Sequence, residues 1–477
     1  MPKEHLNAKI FDSRIRSSKV TLPERLLGFF LGPVSVLLMN SILNNYLNVY
    51  YTDVVHLGDV WNGWFLTSFP IVVKLIDALT YILMGRIMSR FYSRQGVARP
   101  WILLSAPLLC ISMVLLFAVP AAKPAVVAIW VFLSYNLFYS IAYTAYNSAH
   151  TLMVPLATSD REERSKLSVF TNMQTMLSGA LVAVLFPTLI VPRLGVNKVS
   201  WVTLMTVIAA VALPLISFEY FFTRERVTEE NRRRSAEEEK PASKLSMMEQ
   251  FRLCLKSRQW VILMVYLILS HLASLISSFA TFYYCNWVLG SYNDGITQFL
   301  YYAVGNGLLG PGLFLARPIC KKIGRRNAMA AGFILAAVGT LLCFLNPTNL
   351  VMVLIGQGIK SIGLIPSTYM VTAMLGDALD DVRDKTGERC DSFSSAAFNV
   401  IMTVTTGLAM AALNFGITRL GYVAPTEGAA IPTQPALIKN FFTFCAVGAQ
   451  TFVFPVVAAV LMLAPNDKKE KAHEQGK

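Results

Sequence analysis

Twelve times along this chain apolar residues run on for roughly 20 positions or more, enough for an α-helix to cross a hydrocarbon core of about 30 Å. Lipid offers the backbone no hydrogen-bond partners, so each N–H and C=O must be satisfied within its own segment and such runs must be helices. The spans are read as 26–51, 61–85, 101–119, 124–154, 167–192, 200–222, 259–289, 296–316, 327–346, 349–376, 391–418 and 440–464. The fold class that follows is all-α and integral to the membrane, with 12 transmembrane helices. With 55% hydrophobic and 15% charged residues, the composition excludes an ordinary soluble domain. The first apolar run follows a polar basic tail and is too long for the core of a cleaved signal, so it is expected to stay as helix 1.

A net charge of +14 would suit a nucleic-acid binder, but the placement of the charges points elsewhere. Of the 42 Lys and Arg, Lys123, Arg193, Lys198, Arg419 and Lys439 fall in loops on one side, Lys74 and Lys360 fall inside spans, and the rest lie on the other side. This is the positive-inside pattern. It predicts a multi-pass protein of the cell membrane with both termini cytoplasmic, the lipid bilayer for surroundings and no nucleic-acid partner. The expected organisation is a tail over 1–25, a six-helix bundle over 26–222, a charged cytoplasmic loop over 223–258, a second bundle over 259–464 and a tail over 465–477. Basic loops recur after helices 2 and 8 (RIMSRFYSRQGVARP and ARPICKKIGRRN), which marks an internal two-fold repeat. Two bundles rocking about a midplane site is the alternating-access design of many secondary transporters.

A charge in the hydrocarbon core costs at least about 2.5–3.5 kcal/mol, so it persists where it faces a bundle interior or a watery cavity. Lys74, Asp77 and Tyr81 stand at i, i+3 and i+7, on one helix face, so Lys74 is placed to pair with Asp77. Read as the only deep carboxylate of the first bundle, Asp77 is the expected site for a coupling proton or small cation. An inert structural ion pair is the competing reading. Lys360 has no acidic neighbour in its own helix and is expected to meet either Asp77 or an anionic substrate. Asn40, Asn44 and Asn48 recur every fourth residue as one polar stripe. Amides both donate and accept, which suits sugar hydroxyls, while contacts between helices would use the same groups.

Tyr81, Tyr143, Asn147, Asn172, Tyr369 and Asn399 complete the candidate substrate-binding set, and His150 and His271 are read as satisfied interior histidines. The charged runs 161–164 and 377–389 are expected to bridge the two bundles in one transport state. AVGNGLLGPG (303–312) lacks the strand and the Lys-Ser/Thr ending of a phosphate loop, so its glycines read as close packing or a bend. The seven cysteines show no metal-ligand spacing. With no nucleophile–base pair and no nucleotide loop, the chain reads as no enzyme and as needing no cofactor beyond a coupling ion, H⁺ or Na⁺.

Four blocks carry a resemblance: YYTDVVHLG (50–58), KLIDALTYILMGRIMSR with RPWILLSAP, TLMVPLATSDREERSKL, and MLGDALDDVRDKTGERCDS (374–392). In this order, over almost the full length, they resemble the signatures of the glycoside-pentoside-hexuronide:cation symporters of the major facilitator superfamily. The resemblance implies a fold of two pseudo-symmetric six-helix bundles, monomeric function, and import of a glycoside, pentoside or sugar acid. The chain departs from the family pattern where charge matters. Coupled members carry two aspartates four apart on helix 2, the second followed by proline; here Asp77 is followed by Tyr81 and Ile82. The helix 4 aspartate falls at Asn147, the helix 5 arginine at Asn172 and the helix 11 lysine near Thr403 to Thr406, and the helix 1 aspartate has no acidic counterpart. One carboxylate against two lysines implies proton coupling at Asp77, or an anionic substrate such as a uronide held by Lys74 or Lys360. A carrier of a lysolipid or other amphiphile, an uncoupled facilitator, and a sensor that signals through the central loop are the alternatives.

Overall fold

A computed structural model describes residues 11–90, 93, 95–229, 247–386 and 391–464. Both expected tails in part, most of the central loop, and Glu388 and Arg389 of the charged run lie outside the described residues. The first six helices are α1 Glu24–Leu47, α2 Leu57–Met88, α3 Arg99–Phe117, α4 Pro124–Ala157, α5 Glu162–Leu194 and α6 Lys198–Glu229. They are followed by α7 Arg258–Leu289, α9 Arg325–Leu345, α10 Leu350–Thr386, α11 Asp391–Arg419 and α12 Ala436–Met462. The remaining span, α8, comes in two pieces, Gly295–Gly307 and Leu309–Ile323, that break at Leu308. Two of its glycines pack as the sequence suggests: Gly305 lies against Gln357 and Gly312 against Ile365, where a side chain would crowd α10, while Gly307 has open space around it.

Helix starts are set by short polar residues that accept the otherwise orphaned N–H groups of the first turn. Asp160 accepts from Glu162 and Glu163 at α5, Asn197 from Ser200 at α6, Ser257 from Trp260 at α7, and Asp294 from Ile296 and Thr297 at α8. Beyond α1 the chain makes one more helical turn, Tyr50–Val54, which ends at His56 in a left-handed conformation (φ 56°). Within the charged loop a helix over Met247–Leu255 packs on α7, α10 and α11.

Three helix crossings join the halves: α1 with α7, α2 with α11, and α5 with α8. Exchanging 1 with 7, 2 with 8 and 5 with 11 maps this set onto itself, which is the internal two-fold expected from the repeated loops. The crossings are close. Gly407 of α11 touches Pro70 and Lys74 of α2, and Gly295 of α8 lies against Pro187 of α5. All lie toward the end of the molecule far from the chain termini, called here the far end.

At the opposite, terminal end, the first half ties its own ends together. Arg226 forks onto Glu24 at 2.9 and 2.8 Å and also donates to the carbonyls of Ser17 and Lys19. The Glu225 carboxylate accepts the backbone N–H groups of Val97, Ala98 and Arg99 at 2.9, 2.9 and 2.8 Å, an anion seated on the N-terminus of α3. Gly96, at φ +122°, leaves room for that carboxylate, since a Cβ there would overlap it.

Candidate functional site: a polar cavity between the halves

Where the helices diverge from the far-end crossings they leave a cavity of about 520 Å³. The first half supplies Asn40, Asn44 and Asn45 from α1, Lys74, Asp77 and Tyr81 from α2, and Tyr139 and Tyr143 from α4. The second half supplies His271, Leu275, Ser278 and Phe279 from α7 and Met402, Thr403 and Thr406 from α11. Charge therefore sits on one wall only, and the facing wall offers hydroxyls, an imidazole and a ring. Toward the far end the space narrows to an apolar extension lined by Tyr51, Phe69, Tyr135 and Met410.

The helical spacing of Lys74 and Asp77 brings Nζ to 2.8 Å from Oδ2, as expected, with Asp77 only 3% exposed. The other carboxylate oxygen accepts from the Ser140 hydroxyl at 2.5 Å. Lys74 Nζ stands 4.2 Å from the centre of the Tyr139 ring and 5.3 Å from that of Tyr135, so the ammonium is shared between a carboxylate and two aromatic faces. Asn147 donates to Tyr81 at 3.1 Å and fixes its position on the wall. The Asn44 side-chain oxygen lies 3.4 Å from the Tyr139 hydroxyl.

Other expectations are corrected. Lys360 does not reach Asp77: it is 8% exposed in the second half, 5.9 Å from the Tyr301 ring centre, on the face of α10 that meets α8, and it is not on the cavity wall. Tyr369 is a tie within the second half, donating to the Leu309 carbonyl at 2.9 Å. Asn172 and Asn399 are exposed and neither reaches the cavity. Asn48, the third residue of the stripe, spans the halves, donating to Asn414 at 2.9 Å and Tyr283 at 3.2 Å. Nor is Asp77 the only deep carboxylate of the first half. Glu219 of α6 is 1% exposed, accepting from Tyr146 and bonded to His150 Nδ1 at 2.6 Å, while Gln174 stands 3.0 Å from the other ring nitrogen. His150 is thus a satisfied interior histidine, and His271 bonds Thr405 at 2.7 Å from the cavity wall.

The charged runs at the terminal end pair inside their own halves, Lys166 with Glu162, Arg325 with Asp377 and Lys385 with Asp381. Hydrogen bonds cross between the halves toward the far end, from Asn48, Thr52, Asp53 and Leu66 in the first half to Tyr283, Asn414 and Tyr422 in the second and from Asn197 to Glu427, while Gln298 donates to Tyr46 and Tyr302 to Asn45 of the cavity wall. The contacts at the far end seal the cavity there, and it faces the terminal end.

Twelve helices in two exchange-related halves, holding a polar cavity between them, define a transporter of the major facilitator type rather than an enzyme. The chain belongs to the MFS/sugar transport protein family, whose model matches residues 28–466. It is similar to an uncharacterized symporter, YnaJ, of Bacillus subtilis (24% identity, covering 93% of this chain and 91% of the relative). It is also similar to a glucuronide carrier protein homologue of Escherichia coli (24% identity, 88% and 90% covered). Among solved structures, the nucleoside transporter NupG superposes with a TM-score of 0.58 at 12% identity, covering 93% of this chain and 98% of that one. At that identity the match shows the fold alone.

Proposed function

We propose that this sugar transporter imports a sugar acid, or another glycoside bearing an anionic group, together with a proton, by alternating access. The observation that carries the reading is the Lys74–Asp77 pair on the cavity wall, a cation held by an acid that a proton can neutralise. With Asp77 ionised, Lys74 is occupied. A proton on Asp77 removes the counter-charge and frees the ammonium for a substrate carboxylate. Asn40, Asn44 and Asn45 then meet sugar hydroxyls with amides that both donate and accept, and Phe279 offers a ring face. Proton and anion cross as a neutral load, and the pair re-forms once both have left. Tyr81 occupies the place of the second acidic ligand of a sodium site, which favours the proton. The distribution of Lys and Arg puts the terminal end in the cytoplasm, so this conformation faces inward across the cell membrane. A cavity of about 520 Å³ takes one small molecule, and the chain works as a monomer.

The test is uptake of labelled uronides, pentosides and neutral glycosides into proteoliposomes under a proton or sodium gradient. Wild type should accumulate the anionic sugars on a proton gradient, and Asp77→Asn should lose accumulation while keeping downhill exchange. Accumulation by Asp77→Asn would make Asp77 structural. Uptake confined to neutral glycosides would remove the role given to Lys74.

A further inference from the structure

The far-end contacts include two acids: Glu427, which accepts from Asn197 and is exposed, and Asp53, which is buried. Asp53 lies on the helical turn beyond α1, outside the membrane-spanning segments, and is 2% exposed. One carboxylate oxygen accepts from Thr52 of its own turn at 2.7 Å and from Tyr422 of the second half at 3.0 Å. The other oxygen is buried and has no hydrogen-bond partner. Thr52 in turn stands 2.9 Å from the Tyr283 hydroxyl, which accepts from Asn48. Asp53 is thus the acidic centre of a lattice whose bonds run from one half to the other.

What surrounds it decides its charge. Tyr283 from α7, Tyr292 from the loop after α7 and Tyr422 from the loop after α11 face it from the second half, all neutral phenols at pH 7. On its own side Tyr51 precedes it and His56 follows one turn on, and among the described residues no Lys, Arg or His lies within ion-pair distance of it. A carboxylate shut away without a cation and with an unbonded oxygen is costly in its charged form, and far less so once neutral.

We propose that Asp53 is a proton-binding site of the far-end gate, protonated while the halves are closed there and ionised once they part. The proposal rests on the reading of the chain as an alternating-access transporter, and it adds a titrating group separate from the Asp77 site. Burial pushes the Asp53 carboxyl up to about 7 in the closed gate, against hydrogen bonds from Thr52 and Tyr422 that lower it. In the parted gate, wetted, it returns to about 3.9. The closed form therefore binds the proton more tightly. Its advantage is fully present below about pH 4 and is lost as pH rises to about 7, with the closed-to-open ratio falling up to about tenfold per pH unit between those values and levelling off above about 7. Acid on the far face thus shuts the outer gate.

The experiment is a distance measurement by electron spin resonance on the full chain in lipid nanodiscs, with no substrate and no gradient. Labels go on Asp59→Cys and Ala430→Cys, both exposed positions of the far end. Between about pH 4 and about pH 8 the wild type should shift from the short to the long distance, with the change falling below about pH 7 and none above it. Asp53→Asn, neutral throughout, should stay short across the range. Tyr422→Phe, which removes a donor to the ionised form, should move the midpoint upward, and it serves if Asp53→Asn fails to fold. A distance that does not change with pH in the wild type, or an unaltered pH response in Asp53→Asn, would overturn the proposal. Because no sugar is present, failure here leaves the Asp77 reading standing, and failure of the uptake assay leaves this one.

Discussion

Lys74 stabilises Asp77 and is restrained by it, so the two side chains should not be separable by mutation. Removing one partner of a buried pair leaves the other charge uncompensated, a cost of about 3–5 kcal/mol. Lys74→Gln is therefore expected to lower stability by roughly that amount and to abolish saturable uptake of an anionic sugar. The double change Lys74→Gln with Asp77→Asn should recover most of the stability and none of the transport. Thermal denaturation of the four proteins closes the cycle, and additive losses would show that the pair is not coupled. These two residues were legible because their spacing within one helix determines that they meet. Lys360, Asn172 and Asn399 were not, because a span apolar all round does not reveal which side meets lipid, a neighbouring helix or the cavity. Asp53 and Glu219 stand near the ends of apolar runs, and only tertiary packing encloses them.

At the scale of the helix, eleven of the twelve expected segments are long and apolar enough to cross a membrane, since length and hydropathy are local properties, while the twelfth, α8, is broken into two shorter helices. The break of α8 at Leu308 falls inside the glycine- and proline-rich stretch read as a packing surface or bend, although its position depends on how α10 lies against it. Caps were less visible. The start of α3 is capped by Glu225, 126 residues away from Arg99, a link that no local pattern encodes. Glu225→Gln replaces one acceptor oxygen with an amide aimed at N–H donors, and should cost about 1–3 kcal/mol of stability. Gly96→Ala should cost a similar amount by strain at φ +122° and by crowding the same carboxylate. Denaturation midpoints would check both, and a neutral result for either would remove the capping role.

Over the whole molecule, the two-fold repeat was legible from paired basic loops, and the crossings α2 with α11 and α5 with α8 express it in three dimensions. The conformation was not legible, because one sequence must serve both the inward- and the outward-facing forms, and the free energy between them is small beside the total. If the far end must part during each cycle, tying it should stop transport. A short thiol cross-linker applied to Asn48→Cys with Asn414→Cys, whose native side chains are 2.9 Å apart, is expected to reduce uptake at least about tenfold, the scale of a 1.4 kcal/mol bias. Each single variant should ignore the reagent. Transport that survives cross-linking would mean that the far end does not open.

The ties of Arg226 to Glu24 and of Glu225 to α3 carry a consequence for biogenesis. One joins the beginning of the first half, and the other the start of α3, to its last residues, and both form between groups encoded by position 226. A ribosome still translating the central loop has already delivered every group these ties require. The first six helices can thus lock as a set while the later ones are unmade, which gives the arriving second half a finished surface on which to assemble.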